Sequence, residues 1–162
     1  MNAKLNAATI ERITNEYQNI EKDPLTDIGC DVYIEDDDNI THWIGMFQGP
    51  EDTPYNGAFL YFTIDFNDDF PKTGPEVKFS FKDMYHLNVN PIDGHVCIGI
   101  LNEWNPNTKI RQVLYAIFTI LYNQNPKSSY NQDMAILYET NREEFNQKVR
   151  EWVRNNALNI RK

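Results

Sequence analysis

Phe59-Leu60-Tyr61-Phe62-Thr63-Ile64-Asp65-Phe66 is dense in aromatic and β-branched residues, the types that pack on a pleated, half-buried surface. It alternates only roughly, which suits a sheet covered on part of one face. Upstream, Val32-Tyr33-Ile34 and Trp43-Ile44-Gly45-Met46-Phe47 have the same character, and downstream so does Val77-Lys78-Phe79-Ser80-Phe81. Turn clusters separate these runs by hairpin-length connections, which predicts an antiparallel meander of four strands. One connection, Glu35-Asp36-Asp37-Asp38-Asn39, is a run of turn-forming residues and reads as a solvated hairpin turn.

Helical spacing flanks the strands. Ile10, Ile13, Tyr17 and Ile20 fall on one face of a helix over 7–22, and Asp23-Pro24 stops it, because the residue before proline avoids the helical region. Ile110, Val113, Leu114, Ile117, Phe118 and Leu121 recur at i, i+3, i+4, i+7, i+8 and i+11, the strongest helix signal in the chain, and Asn125-Pro126 ends it. A short helix is expected over 132–138. Thr140-Asn141-Arg142-Glu143 reads as a capping box opening a last helix, with Phe145, Val149, Trp152 and Val153 inside. The order is helix, four strands, a long loop and three helices: an α+β domain with helices against one face of an antiparallel sheet.

Composition narrows the functions. The 162 residues carry 24 acidic and 15 basic side chains, a formal net charge of −9. That field repels nucleic acid and anionic membrane surfaces and favours a cationic patch on a protein partner. A chain of this length is usually one domain, here 1–162, burying roughly 70% of the unfolded chain's surface. The hydrophobic run within Gln112–Gln124 is too short to span a bilayer, and residues 1–6 hold no apolar signal region, so secretion is not expected. Cys30 and Cys97 lie far apart, with neither a C-x-x-C pair nor a Cys/His cluster, so no metal site is expected. Two free thiols fit a reducing compartment, cytoplasmic or nuclear.

Residues 83–109 show no trusted periodicity and contain Pro91, Gly94, Gly99 and Pro106. A loop this long inside a compact domain usually carries function or is disordered, and its apolar content argues for order. It reads Tyr85-His86-Leu87-Asn88-Val89-Asn90-Pro91-Ile92-Asp93-Gly94-His95-Val96-Cys97-Ile98-Gly99-Ile100-Leu101. A lone cysteine is by default a small buried hydrophobe. Against that stands its place beside glycines, in an ordered loop rather than within an element.

An ordered series of short motifs runs along the chain: His42-Trp43; Gly49-Pro50-Glu51-Asp52-Thr53-Pro54-Tyr55-Asn56-Gly57; Phe70-Pro71; Tyr85-His86-Leu87-Asn88; Gly94-x-Val96-Cys97; Ile100-Leu101; Trp104-x-Pro106; and Asn125-Pro126. Each is weak alone. Together, over about 7–157, they resemble the ubiquitin-conjugating enzymes. The resemblance implies the fold of that family, one helix, a four-stranded meander, an active-site loop and C-terminal helices. It also implies a carrier activity. An activating enzyme, which consumes the ATP, hands over ubiquitin's C-terminal carboxyl as a thioester on a cysteine. A ligase then helps pass it to a lysine or another cysteine, and the carrier itself needs no cofactor.

Residue by residue, Cys97 matches the family's nucleophile. Sulfur suits that role because a thiolate both attacks and leaves. Asn88 matches the last residue of the family's His-Pro-Asn tripeptide, expected to donate to the oxyanion formed in transfer or to hold the loop. His86 matches the tripeptide's histidine, expected to pin the loop rather than move protons. The tripeptide's proline is Leu87, so loop rigidity must come from packing. The acidic residues that many relatives carry near the incoming lysine fall on Gly99 and near Ser129, so a ligase or substrate is expected to supply the missing groups. On the partner surfaces, Arg12 is the clear basic residue of the first helix, with Lys4 upstream, where relatives meet the activating enzyme. Lys72 takes the place of an aromatic offered to ligases, and Trp104 and Pro106 are kept. Together these favour ligases of RING type over HECT type.

Two other readings remain at this level. A non-conjugating ubiquitin-binding module of the same fold would usually lack the cysteine, so Cys97 and Asn88 speak against it. A conjugating enzyme for another ubiquitin-like modifier is the second, and the basic character of the SUMO enzyme fits poorly with a charge of −9. A papain-like hydrolase is excluded, since no histidine follows Cys97.

Overall fold

Four strands pair antiparallel in chain order: β1 (Cys30–Ile34), β2 (His42–Gln48), β3 (Phe59–Asp65) and β4 (Glu76–Phe79). The computed structural model describes residues 5–158, so Lys4 and most of the N-terminal stretch lie outside the described residues. The register sets Trp43 opposite Ile64 and Phe47 opposite Leu60. Along β3 the alternation is stricter than the sequence suggests: Leu60, Phe62 and Ile64 are buried while their neighbours face outward. Phe59 and Tyr61 blur the pattern because they stand apolar on the outer face. Gly45 lies opposite Phe62, and a Cβ there would fall 2.1 Å from the Phe62 ring, so the glycine makes room for it.

Helix α1 (Ala7–Lys22) starts at Asn6, whose side chain accepts from the Thr9 N–H at 2.7 Å, and stops at Asp23 before Pro24. Its inner face is Thr9, Ile13, Glu16 and Ile20. Ile10, expected there, is 41% exposed. Two polar residues hold the face because each has a partner. The Thr9 hydroxyl donates to the Phe70 carbonyl at 2.7 Å, and Glu16 accepts from the Ile110 N–H at 2.9 Å. That places a carboxylate at the N-terminus of the next long helix, where the helix dipole favours it.

Within the long loop one turn of helix forms, α2 (Gly99–Asn102), too short for periodicity to reveal. Helices α3 (Ile110–Tyr122), α4 (Gln132–Thr140) and α5 (Arg142–Asn156) follow. The cap of α5 is Asn141, not Thr140: its side chain accepts from the Glu144 N–H at 3.2 Å. Thr140 still belongs to α4, and its hydroxyl donates to the Ile136 carbonyl. Helices and sheet share one buried cluster. Within it Tyr17 meets Trp43 edge to face at 5.3 Å, Phe81 meets Trp152 at 5.2 Å, and Tyr138 meets Phe145 at 5.0 Å.

Candidate active site

The loop between β4 and α2 folds back on itself and onto β4. Phe79 N–H donates to the Gly94 carbonyl at 2.8 Å, and Val96 N–H to the Val77 carbonyl at 3.1 Å. Gly94 is required there: its φ is +81°, and a Cβ would fall 1.9 Å from the Phe79 oxygen. Val89 bridges Val96, and the next N–H, that of Cys97, donates to the Asn88 carbonyl at 2.8 Å. The backbone of Asn88 therefore fixes the position of Cys97.

The Asn88 side chain fixes something else. It is 0% exposed, and its carboxamide is fully engaged. Nδ2 donates to the Asn125 carbonyl at 2.9 Å and to the Ser128 carbonyl at 3.2 Å, while Oδ1 accepts from the Asn125 N–H at 2.8 Å. Beside it His86 is buried. Its Nδ1 accepts from the Asn88 N–H at 3.0 Å, so Nε2 carries the proton and donates to the Ile120 carbonyl at 2.8 Å. A second proton on Nδ1 would face an N–H donor. Burial lowers the pKa from 6.5 to about 4, partly offset by the Ile120 carbonyl. His86 is a neutral brace between the loop and α3.

Leu87 is buried, as packing in place of the proline requires, but it also does what a proline cannot. Its N–H donates to Gln124 Oε1 at 2.7 Å, and its carbonyl accepts from the Tyr130 N–H at 3.0 Å. Gln124 Nε2 donates to the Tyr55 hydroxyl at 3.0 Å, which in turn donates to the Tyr85 carbonyl. The Gln124 N–H donates to the Tyr138 hydroxyl at 3.1 Å. One buried glutamine thus links the 85–88 turn to Tyr55 and α4. No sequence signal marks it, since its partners are separated from it by up to 69 positions.

The two thiols sit in opposite environments. Cys30 is 3% exposed, and burial, with Asp31 adding to it, pushes its pKa far up, which makes it inert. Cys97 is half-buried and opens onto a groove of about 290 Å³. Gly99, Thr119, Ile120 and Asn125 are among its lining. Gly99 is exposed, and a Cβ added there would meet nothing within 4 Å. Asn102, exposed at the end of α2, donates from Nδ2 to Cys97 Sγ at 3.4 Å. Tyr130 borders the same place: burial raises its pKa first, and the charges of Cys97 and Asp93 raise it further. Sequence reasoning passed over Asn102 and Tyr130. Ser129 turns away into a local motif, its hydroxyl donating to the Asn131 carbonyl at 2.8 Å and accepting from the Asn131 N–H at 3.0 Å.

The four surface residues singled out in the sequence come together at one end of α1. The Arg12 guanidinium donates to the Pro106 carbonyl at 2.9 Å, to the Thr108 carbonyl at 2.8 Å and to Glu16 at 2.9 Å. The Trp104 indole donates to the Pro71 carbonyl at 2.7 Å, and a Cβ at Gly74 would fall 2.9 Å from its ring. Lys72 and Pro106 are exposed on the two loops so joined. Arg12 is therefore first a clasp between α1 and the loop before α3.

A four-stranded meander with an N-terminal helix, C-terminal helices and a half-buried thiol on a braced loop makes a cysteine-bearing α+β scaffold. The model of the family described as ubiquitin-conjugating enzyme matches residues 12–153. The chain is 36% identical over 144 residues to ubiquitin-conjugating enzyme E2 3 of Arabidopsis thaliana, covering 88% of this chain and 93% of that protein. A crystal structure of a ubiquitin conjugating enzyme from Plasmodium yoelii superposes with a TM-score of 0.82 at 27% identity, over 97% of this chain and 100% of that one. The chain belongs to the ubiquitin-conjugating enzyme family.

Proposed function

We propose that this protein accepts ubiquitin from an activating enzyme as a thioester on Cys97 and passes it to a lysine or to a ligase cysteine. One observation carries the assignment: of the two thiols, Cys97 is half-buried beside an open groove on the braced loop, while Cys30 is only 3% exposed. The chain needs no cofactor of its own, the ATP being spent by the activating enzyme. A thiol that must stay reduced to be charged fits the cytoplasm or nucleus.

In this reading His86, Leu87 and Asn88 hold the loop, and Asn88 sets the Cys97 backbone directly. The groove beside the sulfur has no carboxylate among its lining residues, and the positions where many relatives are expected to carry one are Gly99 and Ser129 here. Lysine transfer then leans on a ligase or substrate to orient the amine. The adjoining surface of Lys72, Trp104 and Pro106, without an aromatic at 72, favours RING-type ligases.

Incubation with ubiquitin, activating enzyme and ATP tests this on a non-reducing gel. The expected product is one ubiquitin heavier and is removed by thiol. Cys97→Ser should convert it to a thiol-resistant oxygen ester. An adduct of Cys97→Ser that thiol still removes would place the linkage elsewhere.

A further inference from the structure

Transfer through a thioester places charge on two atoms, the carbonyl oxygen in the tetrahedral intermediate and the sulfur as it leaves. The Asn88 carboxamide spends both its N–H bonds on the Asn125 and Ser128 carbonyls, and it is fully buried. Another carboxamide does reach the reacting atom. Asn102 Nδ2 lies 3.4 Å from Cys97 Sγ, on an exposed side chain whose backbone N–H is already satisfied by the Ile98 carbonyl at 2.9 Å. Helix α2 sets this contact, because one helical turn from residue 98 brings position 102 back over the cysteine.

We propose that Asn102 is a catalytic residue whose carboxamide N–H stabilises the Cys97 thiolate, both when it attacks and when it leaves. In loading, the thiolate attacks the carbonyl carbon of the activating enzyme's thioester and expels that enzyme's thiolate. In transfer, the acceptor amine attacks the Cys97 thioester carbon, its surplus proton passes to solvent, and the C–S bond breaks with its electron pair on Sγ. Sγ carries negative charge at the start of the first step and at the end of the second, and the same N–H meets it in both. An N–H aimed at sulfur is a stronger bond to S⁻ than to S–H, since charged acceptors roughly double a hydrogen bond. Tyr130 borders the sulfur, Asp93 lies near Tyr130, and His95 stands two positions before Cys97 in the chain. The donor aimed at Sγ is neutral, so it acts on the anion through a hydrogen bond alone.

This rests on the carrier reading above, and its test is independent of ubiquitin. Iodoacetamide alkylation of the ubiquitin-free protein is followed at the Cys97 peptide by mass spectrometry, at pH 7 and at pH 10, for wild type, Asn102→Leu and Asn102→Asp. Cys30, sealed in the core, should stay unlabelled and report on folding. Asn102→Leu should slow Cys97 labelling about 3- to 10-fold at pH 7, the range for losing one hydrogen bond of ordinary net strength. At pH 10, where an ordinary thiol is already ionised, the difference should shrink below about two-fold. Asn102→Asp keeps the size but removes the donor and adds a negative charge, so it should slow labelling at pH 7 at least as much. Equal rates for Asn102→Leu and wild type at pH 7, a loss of the same size at both pH values, or wild-type labelling of Asn102→Asp would each overturn the proposal. With activating enzyme, ubiquitin and ATP, single-turnover loading and discharge should fall by similar factors in Asn102→Leu. Failure of the wild type to load would refute the carrier reading and leave the alkylation result standing.

Discussion

The backbone N–H of Leu87 donates to the side-chain oxygen of Gln124 at 2.7 Å, in the buried turn two residues after Tyr85. The His-Pro-Asn tripeptide that this stretch resembles has a proline at that place, which carries no N–H; this chain has a donor there, and a glutamine receives it. The same glutamine donates to Tyr55, so the turn is tied on both sides.

Replacing Gln124 by Leu strands the Leu87 N–H and removes the bond that the Tyr55 hydroxyl accepts, while that hydroxyl still donates to the Tyr85 carbonyl. A buried donor left unpaired costs about 1–3 kcal/mol and a lost ordinary hydrogen bond about 0.5–1.5, so Gln124→Leu should lower unfolding stability by roughly 2–4 kcal/mol in urea titrations. Leu87→Pro removes the donor that the glutamine serves. The double variant Leu87→Pro/Gln124→Leu should therefore lose less than the sum of the singles. Strict additivity would show that the pair is uncoupled.

His86 makes stability depend on pH. Its pKa is about 4 in the fold and 6.5 for an ordinary histidine. Between those values the unfolded chain binds a proton that the native state refuses, so stability rises with pH through this window. The contribution is complete above pH 6.5 and lost as pH falls towards 4, in all about 3 kcal/mol. His86→Gln should flatten that part of the curve of unfolding free energy against pH. An unchanged slope from pH 7 to 4.5 would mean His86 is charged in the native state.

For Asn88 the engaged carboxamide predicts a scaffold phenotype. Asn88→Ala gives up three side-chain hydrogen bonds in a fully buried site. It should cost about 2–4 kcal/mol of stability and slow loading and discharge together. Normal loading with discharge alone slowed about 10²–10³-fold is instead the signature of an oxyanion donor. Single-turnover measurements of both steps on one preparation distinguish the two.

Gly99 faces open space beside the groove, so a carboxylate fits there without strain from neighbours. Gly99→Asp should leave the melting temperature within about 2 °C, as surface substitutions usually do. It should also speed discharge to free lysine, with no ligase present, several-fold. Ser129→Asp should do less, because position 129 points into the turn before α4. A larger effect at 129 than at 99 would reverse the assignment of the acceptor side.

Much of this was legible from sequence, for identifiable reasons. The four strands and the long helices announce themselves through residue type and spacing. Cys97 stands out by its place among glycines and by the motifs around it. What stayed hidden depends on contacts across the chain. Gln124 is one polar residue at the end of an apolar helix, and its meaning lies in Leu87 and Tyr55, 37 and 69 positions away. Arg12 looks like a free basic residue until the Pro106 and Thr108 carbonyls are seen beneath it. Asn102 is one turn from the nucleophile, but α2 is too short to show a period, so nothing in the sequence aims it at the sulfur. The cap of α5 moved by one residue because α4 and α5 meet at Asn141 with no residue to spare.

The central claim is that one thiol, Cys97, carries the acyl group. Charging wild type, Cys97→Ala and Cys30→Ala side by side with ubiquitin, activating enzyme and ATP, and reading intact mass without reductant, tests it most directly. Wild type and Cys30→Ala should each gain the mass of one ubiquitin, and Cys97→Ala should gain none. A ubiquitin adduct on Cys97→Ala, or its loss from a folded Cys30→Ala, would contradict the account.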